Sequence, residues 1–175
     1  MQHRLIWFRD DLRIIDNAAV AAAFDCGPEV RVTAIFLSAD REWEFFGYGA
    51  NRLYYTEQLL RSLSVQLSHS GVLLKVVRLE RYADQANWLS NYCQREQVTD
   101  LYFNQEYQLN ERIRDHSLTD LISPSRVHSF VDRVLLQPGS VMTADGRYYS
   151  VFSPFKKRWL SKIQADRHMP FFTNK

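Results

Sequence analysis

Five short, largely apolar runs punctuate the chain, at positions 5–8, 30–37, 72–77, 101–103 and 127–131, roughly 25 to 40 residues apart. Between them the period of the pattern lengthens. Over 51–70, Leu53, Leu60, Leu63 and Leu67 recur at spacings of seven, three and four, which places them on one helical face. Ala86, Leu89 and Cys93 keep the same kind of step. An alanine-rich stretch over 18–24 reads as a third helix, with Asp16 as its N-cap and Gly27-Pro28 as its stop, and Gly71 ends the helix over 51–70. Runs such as VLLKVV are continuous rather than alternating, as strands covered on both faces require.

Five strands therefore alternate with four helical stretches, and right-handed crossovers turn that order into a doubly wound, Rossmann-like α/β domain: a five-stranded parallel sheet with helices on both faces. The pattern changes after position 132. Residues 133–175 read as a short hairpin, turned at Leu136-Gln137-Pro138-Gly139 and Ala144-Asp145-Gly146, followed by a connector helix. That helix opens at Ser153-Pro154 and carries the stripe Phe155, Trp159 and Ile163. No internal repeat or low-complexity linker interrupts the chain.

Composition narrows the class. The 175 residues are enough for one sizeable core, and 46% hydrophobic with 24% charged residues describes a soluble globular domain. No apolar run approaches the roughly 20 residues that cross a bilayer, and no secretory signal precedes the first strand, so the expectation is a cytoplasmic protein without a membrane partner. Nothing in the pattern predicts an oligomer. Cys26 and Cys93 lack a CxxC or histidine neighbour and read as free buried thiols rather than a disulfide or a metal site. A net charge of +2 does not argue for nucleic-acid binding. The one basic concentration, Lys156, Lys157, Arg158, Lys162, Arg167, His168 and Lys175, reads first as a solvated helix face.

Candidate chemistry lies at the carboxyl ends of the strands, where open parallel sheets bind ligands. The first such turn, within LIWFRDDLRIIDN, contains no glycine. It therefore lacks the cradle of a dinucleotide site and offers Arg9, Asp10, Asp11, Arg13 and Asp16 instead, groups able to pair with one another or with a ligand. After the second strand come Trp43, Phe45, Phe46 and Tyr48; after the fourth, Asn104, Gln105, Glu106, Asn110 and Glu111. Aromatic faces beside amide and carboxylate groups suit a flat heteroaromatic ring with N–H donors better than a phosphate. The competing reading pairs Glu111 with Arg114, or Asp115 with Arg112, on a helix surface. There is no GxSxG elbow, HExxH or Cys/His cluster, so no catalytic residues are expected in this chain.

WFRDDLRIIDN, NQEYQLNERIRD and YYSVFSPFKKRW, in this order and spacing, make the chain resemble the N-terminal domain of DNA photolyases and cryptochromes, nearest to bacterial cyclobutane-pyrimidine-dimer photolyases of the folate-antenna kind. The resemblance implies that 1–132 is an α/β antenna domain holding a light-harvesting chromophore, with 133–175 leading into a connector. A helical domain, absent from this chain, would hold FAD and damaged DNA, so a fragment inactive by itself is expected. It implies Asn110 and Glu111 as contacts of a methenyltetrahydrofolate pterin, with Arg9 and Asp10 bordering it. Folate-type relatives often place a histidine shortly after the Trp of the second loop, where this chain reads EFFGYGAN. Phe45, Phe46 or Tyr48 could take over stacking, and a deazaflavin, a flavin or no chromophore are the alternatives. A cryptochrome-like photoreceptor and a stand-alone nucleotide-binding module are the competing functions.

Overall fold

A computed structural model describes residues 2–166. Its elements follow in the order β1 (His3–Phe8), α1 (Ala18–Phe24), β2 (Arg31–Leu37), α2 (Asp40–Phe45), α3 (Ala50–Ser68), β3 (Leu74–Val77), α4 (Tyr82–Arg95), β4 (Asp100–Asn104), α5 (Leu109–Leu121), β5 (Val127–Phe130) and α6 (Phe152–Asp166). The five strands form one sheet in the order β3-β2-β1-β4-β5, and every neighbouring pair is parallel. Chain order reverses at β1, between β2 and β4. The crevice beyond the carboxyl ends of β1 and β4 is thus the switch point of the fold.

Alternation along β1 divides the core in two. Leu5 and Trp7 face one layer with Ile35, Leu89, Cys93, Leu101, Phe103 and Leu118, which α4 and α5 cover. Ile6 and Phe8 face the other, with Ala19, Val20, Ala23, Leu63, Leu67 and Tyr102, which α1 and α3 cover. Period-two side chains on a sheet covered twice explain why its strands read as continuous apolar runs. In α3, Leu63 and Leu67 are buried while Leu53 at the start of the helix is exposed, so the stripe reaches the core only in the last two turns.

Three local expectations are corrected. The cap of α1 is Asn17, whose backbone is extended and whose side chain accepts from the Val20 N–H; Asp16 instead has φ of 51° and turns the chain into the helix. Both residue types cap well, and the decisive count is the three residues from Asn17 to the N–H it satisfies. Over 133–151 both turns form, with Gly139 and Gly146 at positive φ, but no strand joins them. The second turn is closed by Thr143 accepting from Gly146 and donating to Arg147, while Leu136 and Val141 are buried singly, so no alternating run is long enough to sustain a ladder. Cys93 is buried, whereas Cys26 is only half-buried; both are free thiols.

In α6 the expected stripe Phe155, Trp159 and Ile163 is half-buried and Lys156, Lys157 and Arg158 are exposed. Lys162 departs from a solvated face by donating to the Ser140 carbonyl at 2.7 Å. Arg167, His168 and Lys175 lie outside the described residues. Among the described residues no helix is long and apolar enough to cross a membrane.

Candidate functional site

The switch point is filled with protein. Arg9, the first residue after β1, is 5% exposed, and its guanidinium lies between the Trp7 and Phe103 rings, 4.4 and 4.1 Å from their centroids. Its Nη1 donates to both oxygens of Asp115, at 2.9 and 2.8 Å. Arg114, also buried, donates to Glu106 Oε2 and Asp115 Oδ1 at 2.9 Å and to Gln85 Oε1 at 3.1 Å, and stacks on Trp7. Gln85 in turn donates to the Leu37 and Ser38 carbonyls, which ties α4 and α5 to the end of β2. Burial opposes ionisation of Glu106, but Arg9, Arg114 and Arg133 outweigh it and hold its carboxyl below the ordinary value. Burial, and then the like charge of Arg114, push Arg9 below its ordinary value, which for arginine still leaves a cation.

A second polar knot lies beside the first. Asn104, at the end of β4, donates to Asp11 at 2.6 Å and Asn17 at 2.8 Å, and its oxygen accepts from the Ala19 N–H. Asp11 also accepts from the Arg9 N–H at 2.8 Å, and Arg13 reaches Asp132 at 2.6 Å. Asp11 and Arg13 are therefore bracing groups, and the glycine-free turn is held by side chains. Asp10 stands apart: half exposed, it meets Arg133 at 3.5 Å and Arg52 only at 4.0 Å. Desolvation, and then the neighbouring Glu106, raise its carboxyl above the ordinary value.

A cavity of about 960 Å³ lies beyond β4, lined by Gln105, Glu106 and Asp115 among others, and two smaller ones lie to the side of the plug. One of the two, about 220 Å³, is lined by Arg9, Asp10, Phe36, Trp43, Tyr48, Arg52 and Arg133 among others. The other, about 370 Å³, is lined by Glu42, Tyr82, Ala86, Asn110 and Arg114 among others. An aromatic wall connects them: Trp43 stacks on Tyr48 at 5.8 Å and donates from Nε1 to the Tyr82 hydroxyl at 2.9 Å, while Tyr82 donates its backbone N–H to Glu42. Burial, with the charge of Glu111 among the smaller causes, pushes the Tyr82 hydroxyl far above its ordinary value.

The sequence candidates divide accordingly. Arg9, Asp10 and Tyr48 share the smaller of the two lateral cavities, and Asn110 lines the larger. Glu111, 9% exposed, faces Tyr82, and among the described residues no hydrogen bond or ion pair reaches its carboxylate. Phe45 and Phe46 form an edge-to-face pair that is 82% and 54% exposed and line neither cavity. The pairings considered for α5 do not form: Arg114 goes to Glu106 and Asp115, because Glu111, Arg114, Asp115 and Leu118 make the inward helix face. That face was readable from its spacing of three and four. Nothing in the sequence pointed to Tyr82, Arg52 or Arg133.

A doubly wound domain with a plugged switch point and an aromatic-walled lateral crevice is the class that these features define. The DNA photolyase family model matches residues 4–171, and the chain belongs to that family. It is 32% identical over 166 residues to the deoxyribodipyrimidine photo-lyase of Salmonella typhimurium, covering 95% of this chain and 35% of that protein. The chain thus spans about a third of the length of that relative. Two solved structures share the fold. A Synechocystis cryptochrome superposes with a TM-score of 0.77 at 19% identity, covering 93% of this chain and 34% of its own. An archaeal photolyase from Sulfolobus tokodaii, described with two FAD molecules and a novel light-harvesting cofactor, gives 0.69 at 21% identity over 89% and 34%.

Proposed function

We propose that this chain is the light-harvesting, chromophore-binding domain of a deoxyribodipyrimidine photo-lyase that repairs ultraviolet-induced cyclobutane pyrimidine dimers. In this reading a helical domain beyond the chain holds FAD and the damaged DNA, and the chain itself contributes no catalytic residue. The observation that carries the antenna reading is the crevice lined by Asn110 and Tyr82, next to which Glu111 keeps a carboxylate without a protein partner among the described residues. The carboxylate oxygens themselves stay open to solvent, so they are free to accept from a ligand that brings N–H groups of its own. The ring and amino N–H groups of a reduced pterin are such donors, and methenyltetrahydrofolate is the antenna proposed here.

When bound, that group supplies near-ultraviolet absorption and passes its excitation to reduced flavin, from which an electron reaches the dimer. The protein's part is to bind and orient. Glu111 accepts from the ring, Asn110 both donates and accepts, and Tyr82, fixed by Trp43, walls the crevice. The Arg9–Arg114 network holds α5, and with it Asn110 and Glu111, in register with β1 and β4. A flavin is the alternative antenna, favoured by the two FAD molecules of the Sulfolobus tokodaii photolyase. Family membership and the side-chain-filled first turn both argue against a stand-alone nucleotide-binding module.

The test uses the full-length protein that carries this domain. Illuminated, it should repair thymine dimers in DNA, and absence of light-dependent repair would favour a cryptochrome-like photoreceptor. Glu111→Gln should lower antenna occupancy, read as the ratio of near-ultraviolet pterin absorbance to flavin absorbance. An unchanged ratio refutes the assignment of Glu111.

A further inference from the structure

The smaller cavity has a polarity that ring stacking does not use. Three guanidinium groups, Arg9, Arg52 and Arg133, line it against a single carboxylate, Asp10. Arg9 stands behind the other two and adds a fixed positive charge: its Nη1 is committed to Asp115, and its Nε and Nη2, shut off from solvent, have no acceptor among the described residues. The Trp7 and Phe103 rings satisfy the faces of that cation but not its in-plane N–H groups. Arg52 and Arg133 are held loosely. Arg52 lies over the Tyr48 ring at 3.7 Å and meets Asp10 only at 4.0 Å; Arg133 meets Glu106 at 3.3 Å and Asp10 at 3.5 Å. None of these contacts to Asp10 has the short, two-pronged geometry that arginine and carboxylate favour. Excess donors of one sign, partly desolvated and incompletely paired, are the makings of an oxyanion receptor.

The geometry points to an oxyanion-binding subsite at Arg52 and Arg133, backed by the buried charge of Arg9, that seats the anionic tail of the antenna, as a carboxylate or a phosphate. The identity of the tail rests on the antenna reading above, whereas the receptor itself stands on the cavity alone. A glutamyl carboxylate of a folate and the phosphate of a flavin mononucleotide share this chemistry. Tyr48, which carries Arg52 on one ring and stacks on Trp43 with it, joins the anion subsite to the aromatic wall.

Inorganic phosphate titrated into the ¹⁵N-labelled chain at constant ionic strength tests the receptor directly. The Nε–Hε signals of Arg52 and Arg133 should shift and saturate in the low-millimolar range, roughly −3 to −4 kcal/mol of binding. The variant Arg52→Gln/Arg133→Gln changes only partly exposed side chains and should weaken binding at least about tenfold. A linear, non-saturating shift, or equal affinity in the variant, overturns the proposal. Two matched pairs, titrated into the full-length protein that carries this domain, then identify the source: flavin mononucleotide against riboflavin, and methenyltetrahydrofolate against the pteroate lacking its glutamate. The tailed member of one pair should bind at least about tenfold more tightly, and only that advantage should vanish in the variant. Ring compounds that bind equally with and without tails would sink the subsite and leave the antenna reading standing. Saturable phosphate binding with no binding of any ring compound would do the reverse.

Discussion

Replacing Arg114 by Met tests whether the plug at the switch point holds the fold. The substitution keeps much of the volume and removes a guanidinium whose side chain is 3% exposed, paired with a Glu106 side chain that is 6% exposed. Lost are charge-assisted bonds to Glu106 and Asp115 and a third bond to Gln85. Breaking a buried ion pair costs about 3–5 kcal/mol. Here Glu106 keeps Arg133 at 3.3 Å and Arg9 at 3.6 Å, and Asp115 keeps Arg9 at 2.8 Å, so the low end applies, about 3 kcal/mol. For a domain of this size that corresponds to a fall in Tm of roughly 6–12 °C.

The pH dependence adds a second check on the same substitution. The folded carboxyl of Glu106 lies below its ordinary value near 4.5, so its contribution is complete above that value and is lost as pH falls through the folded one. Removing Arg114 raises the folded value, so the gap between wild type and variant should narrow on acidification from pH 7 toward roughly pH 3.5. Urea denaturation at several pH values, with Arg114→Lys as the charge-retaining control, measures both. A loss under about 1 kcal/mol at pH 7, or a gap that widens in acid, refutes the reasoning.

Two further outcomes are expected. Asn17→Ala removes the cap of α1 together with a partner of Asp11 and Asn104, and should cost about 2 kcal/mol in chemical denaturation, whereas Asp16→Gly, at φ of 51°, should stay within roughly 0.5 kcal/mol. Equal losses at the two positions would return the cap to Asp16. Cys93, pushed up to about 11 by burial, should resist a thiol-specific disulfide reagent near neutral pH while half-buried Cys26 reacts, giving one titratable thiol in the native chain and two in urea. Two fast thiols in the native chain would contradict the packing of α4.

The doubly wound sheet was legible because each strand is covered twice and so leaves a continuous apolar run, and because the Leu63–Leu67 and Ala86–Leu89–Cys93 steps mark the covering helices. Strand order was not, since periodicity says which face is buried and nothing about which strand lies beside which. The site was legible in the same unequal way. The loops were named by position, and the charged side chains of the first turn form their ion pairs with other parts of the protein rather than with one another. Their partners lie far along the chain, Asp115 being 106 residues from Arg9 and Asp132 119 from Arg13, and no local spacing encodes those distances. Short-range reasoning reached for Arg114 as a partner of Glu111, when the fold had committed it to Glu106.

The guanidinium between Trp7 and Phe103 has a consequence for how the domain tolerates change. In a dinucleotide-binding relative of the same architecture the first turn is a doorway, and its glycines can be exchanged only at the expense of the ligand. Here it is a keystone. The crevice walls, drawn from α2, the loop into α3 and the first turn of α5, are hung around a centre whose ion pairs, Arg9–Asp115 and Arg114–Glu106, lie within the protein. A wall residue such as Tyr48, and still more the outlying pair Phe45 and Phe46, can therefore be exchanged without disturbing the centre. A substitution at Arg9 or Arg114 is felt by every wall at once.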